Sequence, residues 1–250
     1  MRGPNRPDHE SQERTHHIRS AARKGQTPTE IADAHNLPVA AVKRLLTPVE
    51  HPRLSDPVDL IRTGRAGPGK ASADVQLYWL GFLMAAGHIH GQGASLALIV
   101  TLGDGGRQRM EVLQRDLMPG HSRCEFCESS LVGWQGYLRD PALCKALLPW
   151  GIPSDLDGED AALLQDLREE MVAPFLRGYT EGDSLSRPSA EDGRFILHGT
   201  PALLAEINAL LHRWWGISGG VITRARTGAN LCFSSAVARR AILNRLAISA

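Results

Sequence analysis

Cysteine is scarce: four in 250 residues cannot build a disulfide framework, which sets aside the small stapled secreted folds. No run approaches the roughly 20 apolar residues that a membrane-spanning helix needs, so no membrane partner is expected. The N-terminus is polar and lacks the apolar stretch of a secretory signal, which makes a cytoplasmic location the default expectation. An excess of one charge sign is missing too. A formal net charge of +1 excludes a strongly basic protein but hides how charge is distributed. Lysine is rare. Nearly all basic residues are arginine, with Arg187, Arg194, Arg224, Arg226, Arg239 and Arg240 in the C-terminal third. A planar guanidinium donates two parallel hydrogen bonds, which suits phosphates and base edges, although a composition bias toward arginine gives the same count. No serine or cysteine nucleophile constellation stands out. What is present, 42% hydrophobic and 22% charged residues over this length, fits a globular chain with one large core and room for a small second domain.

Residues 1–14 are polar, carry Pro4 and Pro7, and are expected to form a disordered tail. Residues 15–47 read as three short helices. The first spans about 16–24 and stops at Gly25; Thr27 caps the second, with Pro28 in its first turn and Glu30 three residues after the cap. Pro38 opens the third, whose Val39, Val42, Leu45 and Leu46 make an apolar face beside a basic edge. The unit resembles a helix-turn-helix. Ala32 is small where two helices must approach, Asn36 sits in the turn and tolerates the left-handed conformation, and Ile31, Leu37, Val42 and Leu45 occupy apolar positions. The third helix would then lie in a major groove, with Lys43 and Arg44 among its contacts. A three-helix unit that only packs, or that binds protein, fits the same pattern.

Residues 48–73 hold Pro48, Pro52, Pro57, Pro68 and several glycines, the composition of a linker. Within them the string GRAGPGKA at 64–71 stops one letter short of a phosphate-binding loop. Ala71 stands where a hydroxyl must reach the metal, so the string reads as linker.

The rest of the chain is duplicated. The segment YWLGFLMAAGHI at 78–89 returns in altered form as FLRGYTEGDSLS at 175–186. Aligning Gly81 with Gly178 sets Ala86 opposite Asp183. The first copy lies on a helix (74–86), and after it come a strand (95–102), a helix (107–118), a strand (131–138) and a helix (141–148). The second half follows with a helix (161–180), a strand (194–198), a helix (201–215), strands (221–224, 230–234) and a helix (235–246). Two αββαββα units, 74–153 and 154–250, predict an α+β domain with pseudo-two-fold symmetry.

On these segments the chain resembles the LAGLIDADG homing endonuclease family in its single-chain, two-repeat form, over about residues 74–248. The matching residues are 80–87 (LGFLMAAG) and 176–184 (LRGYTEGDS). Small residues on one helix face, Gly81 and Ala85 in one copy and Gly178 and Gly182 in the other, allow two helices to pack almost backbone to backbone. The resemblance implies saddle-shaped sheets lying along double-stranded DNA. It further implies an acid at the end of each motif, the pair holding Mg²⁺ for phosphodiester hydrolysis. Ala86 departs from that pattern and offers no ligand, so Asp183 alone is left as catalytic and metal-binding candidate. Replacement of the following glycine by Ser184 is a milder change. A rescue by His88 or His90 runs against the preference of Mg²⁺ for oxygen, and groove contact or simple exposure is expected of both.

The implied reading is a site-specific duplex-DNA binder with impaired cleavage, in the role of a transcription regulator or a mobile-element relic, acting as a monomer because both repeats are in one chain. A metal-dependent endonuclease or nickase, an RNA-binding splicing cofactor and a structural scaffold are the alternatives. Strand alternation nominates Gln92, Ser95, Arg187, Arg194, Arg224 and Arg226 as DNA contacts. His121, Cys124 and Cys127 have the short spacing of a structural zinc set. The second Cys-x-x-Cys that would complete it is missing, so ordinary cysteines are expected.

Overall fold

The computed structural model describes residues 17–18, 21, 25–46, 52–102, 106–118, 124–129, 133–155, 162–183, 194–226 and 228–246. The tail expected at 1–14 lies outside them. The chain divides into two compact units, Met1–Glu50 and His51–Ala250.

In the first unit, helix α1 (Pro28–His35) opens on a reciprocal cap. The Thr27 hydroxyl accepts from the Glu30 N–H, and the Glu30 carboxylate accepts from the Thr27 N–H at 2.7 Å. The Thr27 N–H first, and the Thr27 hydroxyl second, donate to the exposed Glu30 carboxylate and hold it below its usual pKa. Asn36 ends the helix at φ 50° and ψ 51°, and helix α2 (Val39–Leu46) follows. Ile18, Ile31, Ala32 and Val42 form a small separate core, with Ala21, Leu37 and Val39 packed on it.

The second unit begins earlier than its composition suggests. Residues expected to be a linker carry helix α3 (Pro57–Thr63), capped by Asp56, and bury Leu54, Leu60, Ile61 and Ala71 in the main core. The buried amide of Gln76 fastens this segment: its Oε1 accepts from the Ser55 N–H at 2.7 Å, and its Nε2 donates to the Ala71 carbonyl at 2.6 Å. The near-miss phosphate loop is part of the same closure. The Lys70 ammonium donates to the Pro52 carbonyl at 3.0 Å, and the Ala71 N–H donates to the Arg53 carbonyl. Prolines and glycines here shape a folded segment rather than a spacer.

The first repeat runs α4 (Ala73–Ala86), β1 (Gly87–His90), β2 (Ala97–Leu102), α5 (Gly106–Leu117), β3 (Cys124–Ser129), β4 (Gly133–Leu138) and α6 (Pro141–Leu147). The second runs α7 (Glu169–Gly182), β5 (Phe195–Gly199), α8 (Pro201–Trp215), β6 (Val221–Arg224), β7 (Ala229–Phe233) and α9 (Ala236–Leu246). The stretch expected as one helix from 161 starts instead as a 3-10 turn (Ala162–Asp166) before α7. Strands β1 and β3 were not evident in the sequence. Both sheets are antiparallel, ordered β1-β2-β4-β3 and β5-β7-β6. The second order repeats the last three strands of the first, and the place of a β1 counterpart, 184–193, lies outside the described residues. The result is an α+β unit built twice.

Candidate nucleic-acid interface

The two motif helices are joined by a symmetric contact. A Cβ added at Gly81 would lie 1.9 Å from the Phe175 carbonyl oxygen, and one at Gly178 would lie 1.8 Å from the Tyr78 carbonyl oxygen. The two contacts are images of one another, because the step that carries Gly81 to Gly178 also carries Tyr78 to Phe175. A Cβ at Gly182 would come within 2.4 Å of the Phe82 carbonyl, while Ala85 is half-buried beside the core. Residue numbers rise together along the contact, so α4 and α7 run parallel and their C-termini lie at one end.

At that end the copies differ. Helix α4 finishes at Ala86, a half-buried methyl with no oxygen to offer. Asp183 terminates α7, and its carboxylate is nearly buried, at 8% exposure. It accepts from the His198 N–H at 2.9 Å and lies 3.1 Å from the same residue's Nδ1. Glu181 is engaged elsewhere, accepting from the Tyr78 hydroxyl at 2.9 Å and from Arg109 Nη1 at 2.5 Å. Burial first, and that carboxylate second, push the Tyr78 hydroxyl well above its usual pKa. Tyr179 donates to the His198 carbonyl and is shifted the same way, mainly by burial. Glu181 therefore cross-links α7 to α4 and α5. The donor set does not fit a two-carboxylate Mg²⁺ site, since one of its two positions holds a methyl group.

Register assigns the sheet faces. In the first sheet Ile89, Leu98, Val100 and Leu138 are buried toward the helices, and Gly136 lies against Met110 of α5. His88, His90, Ile99, Thr101, Gln135 and Tyr137 share the opposite, open face. In the second sheet Phe195, Leu197, Leu231 and Phe233 point inward, leaving Arg194, Ile196, His198, Val221, Thr223, Asn230 and Cys232 on the open side.

This changes the list of nominated contacts. Arg194 is exposed and on the open face. Arg224 is exposed at the end of β6, but it pairs with Ala229 and shares the helix-side face with Ile222, so alternation does not aim it outward with the open residues. Arg226 is exposed in the turn between β6 and β7. Gln92 and Ser95 are not on a strand: they close the turn between β1 and β2, where the Ser95 hydroxyl donates to the Gln92 carbonyl at 2.8 Å. Arg187 lies outside the described residues. Lys43 is exposed on α2, as is required of a groove-facing side chain; of Arg44 only its place on that helix is described. Thr101, Gln135, Tyr137, Thr223 and Asn230 also lie on the open faces and were not nominated, because neutral polar residues on a strand carry no signal until pairing shows which face they occupy.

Of the expected zinc set, the described residues give only the strand register. Cys124 pairs with Leu138 and Cys127 with Gln135, which puts the two cysteines on opposite faces of β3, and His121 lies outside the described residues. Cys144 is buried on α6, where desolvation first and the nearby Asp140 second push its thiol up to about 12. Among the described residues one cluster has metal-ligand chemistry: His88, His90 and Asp155. Segment 153–155 lies along the outer edge of β1, with the Ile89 N–H donating to the Pro153 carbonyl at 2.7 Å and the Asp155 N–H donating to the Ile89 carbonyl at 3.1 Å. The Asp155 carboxylate thereby sits between the imidazoles, 2.6 Å from His88 Nε2 and in contact with His90 Nδ1. The His88 contact, ahead of His90, holds Asp155 below the usual carboxylate range.

No family model and no curated protein matches this sequence. Solved structures do. The N-terminal LAGLIDADG domain of DUF199/WhiA superposes with a TM-score of 0.53 at 14% identity, over 78% of this chain and 89% of that one. Mesophilic variants of the homing endonuclease I-DmoI match with a TM-score of 0.51 at 13% identity, over 71% of this chain and 97% of theirs. The fold is that of the LAGLIDADG homing endonucleases. A further match is I-DmoI in complex with DNA and Mn, with a TM-score of 0.50 at 12% identity, over 71% of this chain and 98% of that chain. At such identities the likeness fixes the LAGLIDADG fold and leaves activity to the residues.

Proposed function

We propose that this LAGLIDADG-fold chain is a site-specific double-stranded DNA-binding protein that does not make double-strand breaks. The observation that carries the loss of cleavage is Ala86: parallel helices bring the two motif ends together, and of the two aligned positions Asp183 carries a carboxylate and Ala86 does not. In-line hydrolysis of both strands needs metal at both scissile phosphates, and a methyl group supplies none of its ligands. The open sheet faces, with Arg194, Thr101, Gln135, Tyr137, Thr223 and Asn230, are the surface assigned to the duplex, and Arg226 reaches it from a turn. The N-terminal unit acts as a helix-turn-helix. Asn36 in the left-handed turn and exposed Lys43 on α2 support that reading. Two readers in one chain raise effective concentration at a composite site, so neither has to bind tightly alone, and a monomer suffices.

The retained Asp183 favours one second reading, a nickase that cuts a single strand with Mg²⁺. Both are tested by selecting bound molecules from random duplex DNA in Mg²⁺ and sequencing motifs and ends. Enrichment of a motif with intact ends is the expected result. Single-strand ends clustered within the motif, abolished in Asp183→Asn, establish the nickase instead. No enrichment sinks both readings and leaves the RNA-binding alternative to be tried with structured intron RNA. Once a site is known, Arg194→Ala is expected to weaken binding and to lower the slope of log affinity against log salt by about one if it meets a phosphate. Unchanged affinity and slope remove that residue from the interface.

A further inference from the structure

We propose that His88, His90 and Asp155 form a binding site for a divalent first-row transition metal of the zinc type, separate from the acid positions of the repeated motifs. The site is built from two elements that the fold fastens together. On β1, His88 and His90 are two residues apart and therefore project from the same, open face, while Ile89 between them is fully buried and anchors the strand. Backbone hydrogen bonds on both sides of Ile89 fix segment 153–155 along that strand, and Asp155 then presents one carboxylate oxygen to each ring. All three residues can offer a ligand atom within 4.8 Å of the other two.

The chemistry of the donors selects the ion. Two imidazoles and one carboxylate suit Zn²⁺, Co²⁺ or Ni²⁺ and are a poor set for Mg²⁺. Zinc holds nitrogen and oxygen ligands at about 2.1 Å, which spaces them about 3.4 Å apart in a tetrahedron. The carboxylate oxygens thus retreat by about 1 Å from their contact with the rings to admit it. His88 and Asp155 side chains are each 44% exposed and His90 is 64% exposed, so an ion enters from solvent without opening the core. Three protein ligands leave a coordination position for water or another oxygen ligand. The bound ion clips the start of the connection between repeats to β1, immediately after Ala86. The site does not depend on the DNA-binding reading.

The test uses the untagged full-length chain, stripped with chelator, titrated with Zn²⁺ by calorimetry and with Co²⁺ by visible absorption. Expected are one ion per chain, a nitrogen–oxygen ligand-field spectrum without a thiolate charge-transfer band, and a rise of the thermal midpoint with added Zn²⁺. His88→Ala, His90→Ala and Asp155→Asn are each expected to weaken binding by roughly tenfold or more, and Cys127→Ser to leave it unchanged. Circular dichroism of each variant separates lost ligation from lost folding, and Asp155→Asn keeps the volume of the side chain. Absence of binding by the wild-type chain overturns the proposal. So does a thiolate band, or binding that persists in a folded triple variant, because either places the ion on other residues.

Discussion

At Gly178 the side chain is a single hydrogen because the neighbouring helix backbone occupies the space: an added Cβ would meet the Tyr78 carbonyl oxygen at 1.8 Å. A flexible side chain can swing aside, but a helix backbone moves only as a unit. Gly178→Ala is therefore expected to destabilise the chain by about 3 kcal/mol, at the upper end for overpacking, with the same direction for its symmetric mate Gly81. Gly67→Ala is the control, since its Cβ would find only a Lys70 methylene at 3.7 Å. Urea unfolding that gives equal midpoints for Gly178→Ala and Gly67→Ala would show that α4 and α7 do not approach so closely. These glycines were visible as a pattern in the sequence, since small residues recur at matching places in both copies. His88, His90 and Asp155 were not visible as a group. The histidines stood out two residues apart, but Asp155 lies 65 residues beyond His90, and only strand-edge pairing brings it back.

Among the elements, the segment before α4 teaches the most. Its prolines and glycines match a linker by composition, yet composition does not record that Leu60 and Ile61 of α3 have a core to enter or that Gln76 is waiting beneath. Gln76→Leu removes the acceptor of the buried Ser55 N–H and the donor to the Ala71 carbonyl. Leaving such groups unpaired is expected to cost about 2 kcal/mol, read as a shift in the urea midpoint at unchanged slope. A midpoint equal to wild type would mean that the segment is not fastened there. Strand β1 was hidden for a related reason: four residues beginning at a glycine carry too little alternation to read, and the helix before it is apolar on every side. Register sets Arg224 on the same face as Ile222, which alternation could not tell, because it gives two sets of residues and does not say which set is buried.

For the molecule as a whole, the two units have separate cores: Ile18, Ile31, Ala32 and Val42 in one, and the large cluster starting at Leu54 in the other. A chain of residues 51–250 is accordingly expected to fold alone, with the thermal midpoint of the main transition unchanged within about 2 °C. It is also expected to bind the selected DNA site more weakly than the intact chain. Loss of cooperative unfolding in the shorter chain would show that the small unit is part of the main core, and unchanged affinity would remove it from DNA recognition.

The sequence by itself determined the duplication, the parallel small-residue helices, the capped helices of the first unit and the loss of one motif acid at Ala86. All of these are written in local spacing and in residue identity, where one letter suffices. Tertiary structure alone decided which strand faces are open and that residues 52–72 belong to the main core. It also decided that Asp183 turns to His198 and that Asp155 meets two histidines. Each of these depends on which distant segment lies alongside, and hydrogen-bond register between segments far apart in the chain is set by the packing of the whole core.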